Sequence, residues 1–324
     1  SELLKFADFG SADGGTSQEM WSNIIKLIRE KGDNRQIEIL YTDLASNDFS
    51  TLFKTMQGMH GNSNFAFQKN FKDVYVHGSG TGFHEQLMSD SSLTLGFSAT
   101  AMHYVSERPC LIENHVHMTG ANESEKKLFK KQASKDWETI LLNRSNELIT
   151  GGRFVCVNFG IDEEGRCLGN TGGHIMFNNF AKNWKQLEDQ GVITKQEFIN
   201  ATFTQHYRTV EEFKKPFKDK DSLISKSGLV LKSCETMITD CPYKLHYLNN
   251  KDTMSSEEYA NTLIPTMRSW SETVFRNALI DRTEKEINEI VDKFYNIYIE
   301  DVSNNPEGHA MDYVHVIMDV EKVS

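Results

Sequence analysis

Three glycines near the start of the chain, Gly10, Gly14 and Gly15, follow an apolar run that ends at Phe9. An apolar strand that enters a glycine-rich turn and then a helix allows the backbone to approach a bound cofactor closely. The spacing departs from the G-x-G-x-x-G pattern of dinucleotide-binding turns, so it disfavours a nicotinamide cofactor without excluding one. A smaller adenosine cofactor that has no pyrophosphate fits the pattern better.

A carboxylate follows the next apolar run. Residues 37–41 are apolar except Glu38, and Thr42, Asp43 and Leu44 come directly after them. In an open α/β sheet, an acidic side chain at the carboxyl end of the second strand is where a ribose binds. We therefore predict that Asp43 accepts hydrogen bonds from both ribose hydroxyls. The structural alternative for Asp43 is a helix cap.

The composition restricts the classes of partner. The net charge of −11 disfavours nucleic acid, because phosphate backbones are bound by clustered Lys and Arg. The five cysteines show no C-x-x-C spacing, which indicates reduced thiols in a reducing compartment. The sequence has no apolar run of about 18 residues and no charged-then-apolar leader. We therefore expect no membrane partner and a cytoplasmic location.

The pattern of the first half alternates apolar strands with helices that have 3.6-residue periodicity, which predicts a mostly parallel α/β sheet with both faces covered. After residue 161 the pattern changes to a glycine-rich connection and aromatic-rich helical segments. We expect a cofactor-binding α/β domain and a helical cap that forms the substrate pocket. The α/β domain comprises residues 1–168, 222–253 and 283–324, and the cap comprises residues 169–221 and 254–282.

Three local predictions follow from short signals. Asp48 precedes an apolar run and is expected to cap a helix. Gly151 and Gly152 are expected to end the long helical pattern that begins at Ser124. The first strand begins within about five residues of Ser1, so either an upstream segment is missing from the chain or the site closes in a different way.

Several short motifs occur along nearly the whole chain. They are Ala7-Asp8-Phe9-Gly10 with Gly14, Thr42-Asp43-Leu44, Asn47-Asp48-Phe49, Gly82-Phe83, Met102-His103-Tyr104-Val105-Ser106, Gly151-Gly152-Arg153, Tyr207 and Met267-Arg268. In order and spacing these motifs resemble those of the SABATH family. That family contains plant carboxyl methyltransferases acting on salicylate, jasmonate and related acids, together with xanthine N-methyltransferases.

The resemblance implies a class I methyltransferase fold, with a Rossmann-like sheet and a helical cap, in a homodimer. It also implies S-adenosylmethionine as the cofactor, S-adenosylhomocysteine as its product, and O-methylation of a small-molecule carboxylic acid. Two features depart from the family. The upstream segment that supplies a glutamine to the substrate carboxylate has no counterpart before Ser1, and Tyr104 replaces the usual tryptophan after His103.

The resemblance, together with the residue types, gives a set of candidate site residues. His103 and Tyr104 are expected to orient the substrate, because an imidazole N–H and a phenol can both donate to an oxyanion. Cofactor binding is assigned to Asp8, Gly10, Gly14, Asp43, Leu44, Gly82, Phe83 and Ser98, with Asp8 either ordering the first turn or binding the ammonium group of the methionine moiety. The substrate pocket is assigned to Met176, Phe177, Tyr207, Met267 and Trp270.

The expected reaction needs no general base, because a carboxylate with a reference pKa of about 4 is already ionised at neutral pH. The site must therefore orient and enclose the reactants for an in-line displacement. No metal is expected, although His115 and His117 lie two residues apart on a predicted strand. The lysine-rich segments 126–135 and 214–220 are interpreted as solvated faces.

Three alternatives remain open from the sequence. The first is N-methylation of a small heterocycle in the same pocket. The second is a catalytically silent relative that binds the cofactor, and the third, more remote, is an NAD-dependent dehydrogenase.

Overall fold

The strands of the chain form a single sheet in a computed structural model that describes residues 3–324. They are β1 (Leu3–Phe9), β2 (Gln36–Thr42), β3 (Val74–Ser79), β4 (Leu93–Ala99), β5 (Leu148–Ile161), β6 (Arg208–Thr209), β7 (Leu229–Thr239) and β8 (Tyr313–Lys322). The strand order is β3-β2-β1-β4-β5-β8-β7, and the two-residue β6 pairs with the end of β5.

Strand direction shows at which edge of the sheet a cleft can form. The neighbours from β3 to β5 are parallel, whereas β8 runs antiparallel to both β5 and β7. The mostly parallel α/β sheet predicted from the sequence is therefore confirmed. The chain order reverses between β1 and β4, and such a switch point opens a crevice at the carboxyl ends of the strands.

Helices cover both the sheet and its carboxyl edge. They are α1 (Gly15–Glu30), α2 (Phe49–Met56), α3 (Phe67–Asn70), α4 (Glu123–Glu147), α5 (Met176–Asp189), α6 (Lys195–Asn200), α7 (Val210–Lys218), α8 (Leu223–Lys226), α9 (Pro242–Asn249), α10 (Ser256–Ala278) and α11 (Glu284–Asn304). None of these described helices is long and apolar enough to cross a membrane.

The helix ends follow local side-chain chemistry with one exception. Asp48 caps α2 by accepting a hydrogen bond from the Thr51 backbone N–H, as predicted. The prediction that Gly151 and Gly152 end α4 is wrong, because α4 ends at Glu147 and β5 begins at the next residue. Leu148 already pairs with Leu93, so ladder pairing takes over before the glycines. The glycines instead lie in an irregular part of β5.

The apolar residues form three clusters. Two of them lie on the sheet, packed by α1 on one side and by α4 and α7 on the other. The largest joins α5, α10 and α11 above the carboxyl edge. In this packing α11 groups with the cap helices and α7 with the sheet, whereas the sequence assigned each to the other unit. The division into two units stays a prediction.

Candidate active site

A cleft of about 540 Å³ lies at the carboxyl ends of β1, β2 and β4. It brings together seven of the residues predicted from the sequence: Asp8, Gly10, Asp43, Leu44, Gly82, Phe83 and Tyr104. Residues to which the sequence analysis assigned no role in the site complete the lining: Ser11, Ala12, Thr16, Ser17, His84, Ala99, Thr100, Ala101, Val105, Ser106 and Thr204. The strand order alone explains why these residues lie close together, since the loops that follow parallel strands all lie at the same edge of the sheet.

Gly10 makes the turn out of β1 possible. Its backbone has φ +75°, and a Cβ atom at this position would lie 2.4 Å from the Cβ of Ala101. The N–H groups of Gly10 and Ser11 both donate to the Thr42 carbonyl, at 2.9 and 3.0 Å. These bonds join the loop after β1 to the end of β2, so the cleft has a rigid floor.

Asp43 connects the same two loops through its side chain. Its Oδ2 accepts from the Ala12 N–H and its Oδ1 accepts from the Leu44 N–H, each at 2.7 Å. Asp43 does not cap a helix, so the structural alternative considered for it does not apply. Each carboxylate oxygen can accept a further hydrogen bond. The side chain therefore remains able to bind a diol in the cleft.

Asp8 is buried at the end of β1 and contacts the first turns of α1. Its Oδ2 accepts from the Trp21 indole N–H at 3.0 Å and from the Ser17 hydroxyl. Burial raises the pKa of Asp8 to about 6, although the two hydrogen bonds oppose this. Asp8 orders the turn and also lines the cleft, so both roles considered from the sequence are compatible with its position.

Two predicted cofactor residues lie behind the cleft and do not line it. Gly14 precedes α1 with φ +72°, and a Cβ there would approach the Cε of Met56 to 2.7 Å. The Ser98 hydroxyl is fully buried and donates to the Phe9 carbonyl at 2.8 Å, which joins β4 to β1. Both residues shape the strands that carry the site.

A buried ion pair fixes the loop that presents Gly82 and Phe83. The guanidinium of Arg144 in α4 donates to Glu147 at 2.6 Å through Nε. It also donates to the carbonyls of Phe83 and Glu85, at 3.0 and 2.8 Å. Glu147 in turn accepts from the Leu87 N–H at 2.5 Å. The loop after β3 is therefore held through its backbone by α4.

A second cavity, of about 420 Å³, adjoins the cleft beneath the cap. The two share Thr16, Ala99, Thr100 and Tyr104 as lining residues. The second cavity is further lined by Phe97, His103, Val157, Phe159, Leu168, Gln205, Tyr207, Trp270, Met311, Tyr313 and His315. Its lining is largely aromatic and apolar, which is the surface expected around a small organic molecule.

His103 lies in the second cavity and Tyr104 borders both. Burial lowers the pKa of His103 to about 3, so its imidazole is neutral at physiological pH. Among residues 3–324 its Nδ1 has no hydrogen-bond partner. Burial raises the pKa of Tyr104, and the nearby Gln205 side chain opposes that shift. Both side chains are therefore neutral groups that can donate a hydrogen bond.

The predicted pocket residues divide into two groups. Tyr207 and Trp270 line the second cavity. Met176, Phe177 and Met267 do not line it but are buried in the largest apolar cluster, which joins α5, α10 and α11. Helical spacing identifies an apolar face without showing whether that face meets a ligand or another helix, so the sequence did not separate the groups.

Gln205 is the most informative residue that sequence reasoning missed. It is only 2% exposed, and its Oε1 accepts from the Tyr207 hydroxyl at 3.4 Å. The backbones of Gln205 and Tyr104 form an antiparallel bridge. A signal was present, because residues 205 and 207 are two apart and share one face of an extended segment. No sequence signal indicated that β8 would bring Tyr313 and His315 to the same cavity.

His115 and His117 contact each other and an aromatic ring of α5. His115 Nδ1 accepts from the His117 N–H at 3.0 Å, and the His117 ring stacks on Phe177 at 3.7 Å. In the described part of the chain, no group of three or more His, Cys, Asp or Glu side chains is arranged to hold a metal ion.

Comparison with known proteins decides between the methyltransferase and dehydrogenase interpretations. The profile of the SAM dependent carboxyl methyltransferase family matches residues 1–322. The chain belongs to this family. The cofactor class and the reaction class predicted from the resemblance are therefore confirmed, and S-adenosylmethionine is the cofactor of the family to which the chain belongs.

Individual relatives of this family are distant. Methyltransferase FUS9 of Gibberella moniliformis is 26% identical over 280 residues, covering 86% of this chain and 73% of its own length. Farnesoic acid carboxyl-O-methyltransferase of Arabidopsis thaliana is 22% identical, covering 68% of this chain and 63% of its own length. A solved structure of loganic acid methyltransferase with SAH covers 99% of this chain and 85% of its own, with 17% identity and a TM-score of 0.75, which supports the fold.

The cleft residues fit the methyltransferase cofactor. Gly10 leaves a space that a Cβ atom would fill, Asp43 presents a carboxylate, and Leu44 and Phe83 present apolar surfaces in the same cleft. A carboxylate suits the ribose diol, and the apolar pair suits the adenine ring. Asp8 lies deeper, where an ionised carboxylate would attract the ammonium group of the methionine moiety.

Proposed function

We propose that the chain methylates the carboxylate of a small, largely apolar acid bound in the second cavity. The observation that carries this proposal is the wall shared by the two cavities, formed by Thr16, Ala99, Thr100 and Tyr104. S-adenosylmethionine supplies an electrophilic methyl group when it is bound in the cleft. The protein has to bring the acid oxygen to that shared wall and exclude water from it.

The groups available to orient the acid are neutral hydrogen-bond donors. No Lys or Arg occurs among the described residues that line the second cavity. Neutral His103, the Tyr104 phenol and the Gln205 amide can each donate to a carboxylate oxygen. The Gln205 carbonyl is engaged by Tyr207, so the amide nitrogen remains as the donor. These donors position the acid without requiring a base, because the acid is already ionised.

The cavity also limits the acid. A volume of about 420 Å³ with aromatic walls fits one ring system or a short aliphatic chain. The names of the relatives include farnesoic acid and loganic acid, which differ in polarity. We propose an acceptor closer to the apolar end of this range, since Phe159, Leu168 and Trp270 contribute to the walls.

The reaction is tested with S-adenosylmethionine carrying a labelled methyl group and a panel of aromatic and aliphatic acids. The expected product is a base-labile methyl ester of an apolar acid. Label in a base-stable N-methyl product would favour the heterocycle alternative. Binding of S-adenosylhomocysteine with no turnover on any acid would favour a silent relative.

The orienting role of Gln205 gives the first testable prediction. Gln205→Leu keeps the size of the side chain but removes the donor, so the KM for the acid should rise by about tenfold or more. The affinity for S-adenosylhomocysteine, measured by calorimetry, should not change. The matched control is Gln196→Leu on the exposed face of α6, which should leave both quantities unchanged. An unaltered KM in Gln205→Leu would reject the role.

We also propose that the chain acts as a homodimer in the cytoplasm. The dimer rests on the resemblance to the family. The five free cysteines of the described chain are compatible with a reducing compartment. Light scattering coupled to size-exclusion chromatography tests the dimer, and a monomer at micromolar concentration would reject it.

A further inference from the structure

A groove of about 470 Å³ lies on the side of α4 that faces α7. Five lysines line it: Lys127, Lys130, Lys131, Lys135 and Lys215. They come from the two lysine-rich segments that appeared in the sequence as unrelated solvated faces. The structure instead brings both segments to one concave surface.

The groove carries excess positive charge in a chain whose net charge is −11. Among the described residues, Lys127, Lys131, Lys135 and Lys215 have no ion-pair partner within 4 Å. Three of these lysines are spaced by four residues, so they project from one face of α4. The groove therefore brings together four lysines that form no ion pair among the described residues.

Two carboxylates belong to the lining, Glu138 and Glu212. Glu212 is already engaged, since it bonds Lys130 at 2.7 Å and His206 at 3.0 Å. Burial tends to raise the pKa of Glu212, but the bonds from His206 and Lys130 prevail and lower it to about 2. The Glu212 carboxylate is therefore ionised at neutral pH, but it pairs with Lys130 and His206 and forms no ion pair with Lys127, Lys131 or Lys135.

Arg208 lies at the base of the groove and is 1% exposed. Its two terminal nitrogens donate to backbone carbonyls, to Met102 at 2.7 Å and to Ala133 at 2.8 Å. Its Nε has no hydrogen-bond partner among residues 3–324, and neither has the Nδ1 of the buried His206. Burial lowers the pKa of Arg208 to about 10, so the guanidinium stays charged at neutral pH. Asp136 and Glu212 lie near enough to oppose this lowering of the Arg208 pKa, but neither forms an ion pair with the guanidinium. A buried cation that bonds no carboxylate directly is electrostatically suited to an anion.

One extended segment separates this groove from the second cavity. Gln205 and Tyr207 line the second cavity, whereas His206 and Arg208 line the groove. Alternate side chains of an extended chain point to opposite faces, which explains the division. The groove is therefore a site distinct from the cleft and from the second cavity.

We propose that this groove binds a small, multiply charged phosphate compound. Arginine and clustered lysines recognise phosphate oxygens, and several uncompensated cations favour a ligand that carries more than one negative charge. The groove is a bounded cavity and the rest of the surface is acidic overall, so a small molecule fits better than a polynucleotide. The proposal is independent of the acceptor acid assigned above.

The test is calorimetric titration of the full chain with inorganic pyrophosphate at low and at moderate NaCl concentration. We expect saturable binding that weakens with salt. Lys131→Glu combined with Lys135→Glu should weaken binding by about tenfold or more. The matched control combines Lys26→Glu with Lys285→Glu, which makes the same change in net charge on the exposed faces of α1 and α11, and it should bind as the unaltered chain does.

Thermal unfolding and S-adenosylhomocysteine binding show whether each variant is folded. If the first variant is unfolded, Lys127→Glu combined with Lys215→Glu replaces it with the same expected loss. Absence of pyrophosphate binding at millimolar concentration would overturn the proposal, as would equal losses in the groove and control variants. Binding of a single-stranded oligonucleotide more tightly than pyrophosphate would assign the groove to a polymer and reject a small ligand.

Discussion

Asp43 joins two loops of the cleft, and we propose that the same carboxylate binds the ribose of the cofactor. Its oxygens accept backbone N–H groups from Ala12 and Leu44, and both loops line the cleft. Each carboxylate oxygen can accept a further hydrogen bond, so the side chain is available for the ribose contact that we propose. Removing the side chain therefore removes two loop contacts and the proposed ligand contacts in one step, so a control that alters only local structure is required.

Asp43→Ala should weaken S-adenosylhomocysteine binding by about 1 to 3 kcal/mol, because two hydrogen bonds to the ribose hydroxyls are lost. Calorimetric titration measures this change. Asp48→Ala is the control, since Asp48 caps α2 and does not line the cleft. The control should reduce the thermal stability of the protein and leave the affinity unchanged. Equal affinities in Asp43→Ala and the unaltered chain would reject the ribose assignment.

At the scale of elements, α4 determines where the loop that carries Gly82 and Phe83 lies. The Arg144 and Glu147 side chains are fully buried, and between them they bond the backbone of Phe83, Glu85, Leu87 and Met88. A buried ion pair contributes little net stability when intact, but the loss of one partner leaves an unpaired charge inside the protein. The loop that carries Phe83 therefore depends on both partners.

Arg144→Leu should lower the free energy of unfolding by about 3 to 5 kcal/mol, because it leaves the Glu147 carboxylate buried without its partner. It should also weaken S-adenosylhomocysteine binding, since the loop of Phe83 loses two backbone contacts. Urea denaturation and calorimetry measure the two effects. In Arg153→Leu, which removes a half-exposed ion pair with Asp319, the loss should stay below about 1 kcal/mol. Similar losses in both variants would contradict the account.

At the scale of the whole molecule, we expect the titration of buried histidines to determine how stability changes in mild acid. Burial is the main reason that the pKa is lowered at His84, His103, His115, His117, His174, His206, His309 and His315. Below a pH of about 6.5 the unfolded chain binds protons at these imidazoles and the folded chain does not, so folding becomes less favourable. Asp8 acts in the opposite direction, since its pKa in the folded state is raised to about 6.

The free energy of unfolding should therefore fall between pH 7 and pH 5. His103 alone contributes a loss of about 2 kcal/mol over this interval, and Asp8 offsets about 1 kcal/mol. Urea denaturation at several pH values measures the slope. His309→Gln should flatten the slope, because burial lowers the pKa of His309 to about 4. His60→Gln, at an exposed position, is the control for the effect of a histidine substitution as such. A stability independent of pH in this range would show that the imidazoles do not govern it.

The sequence by itself determined the sheet and the edge of the sheet at which the cleft lies. Strand periodicity, the turn at Gly10 and the position of Asp43 are local features, and parallel connectivity places their loops at one edge whatever the detailed packing. The cap of α2 at Asp48 was predictable for the same reason, because a helix cap depends on residues within one turn. The end of α4 was not predictable, since pairing of Leu148 with β4 prevailed over the glycine signal.

Only the tertiary structure decided which side chains face which cavity. Met176, Phe177 and Met267 share helical spacing with core residues, and packing among α5, α10 and α11 buried them. Gln205 lines the second cavity because its segment pairs with Tyr104, which is distant in sequence. The lysines of α4 and α7 form one groove for the same reason. Contacts between distant segments depend on how the helices and strands pack against one another. The local pattern of residue types does not show that packing.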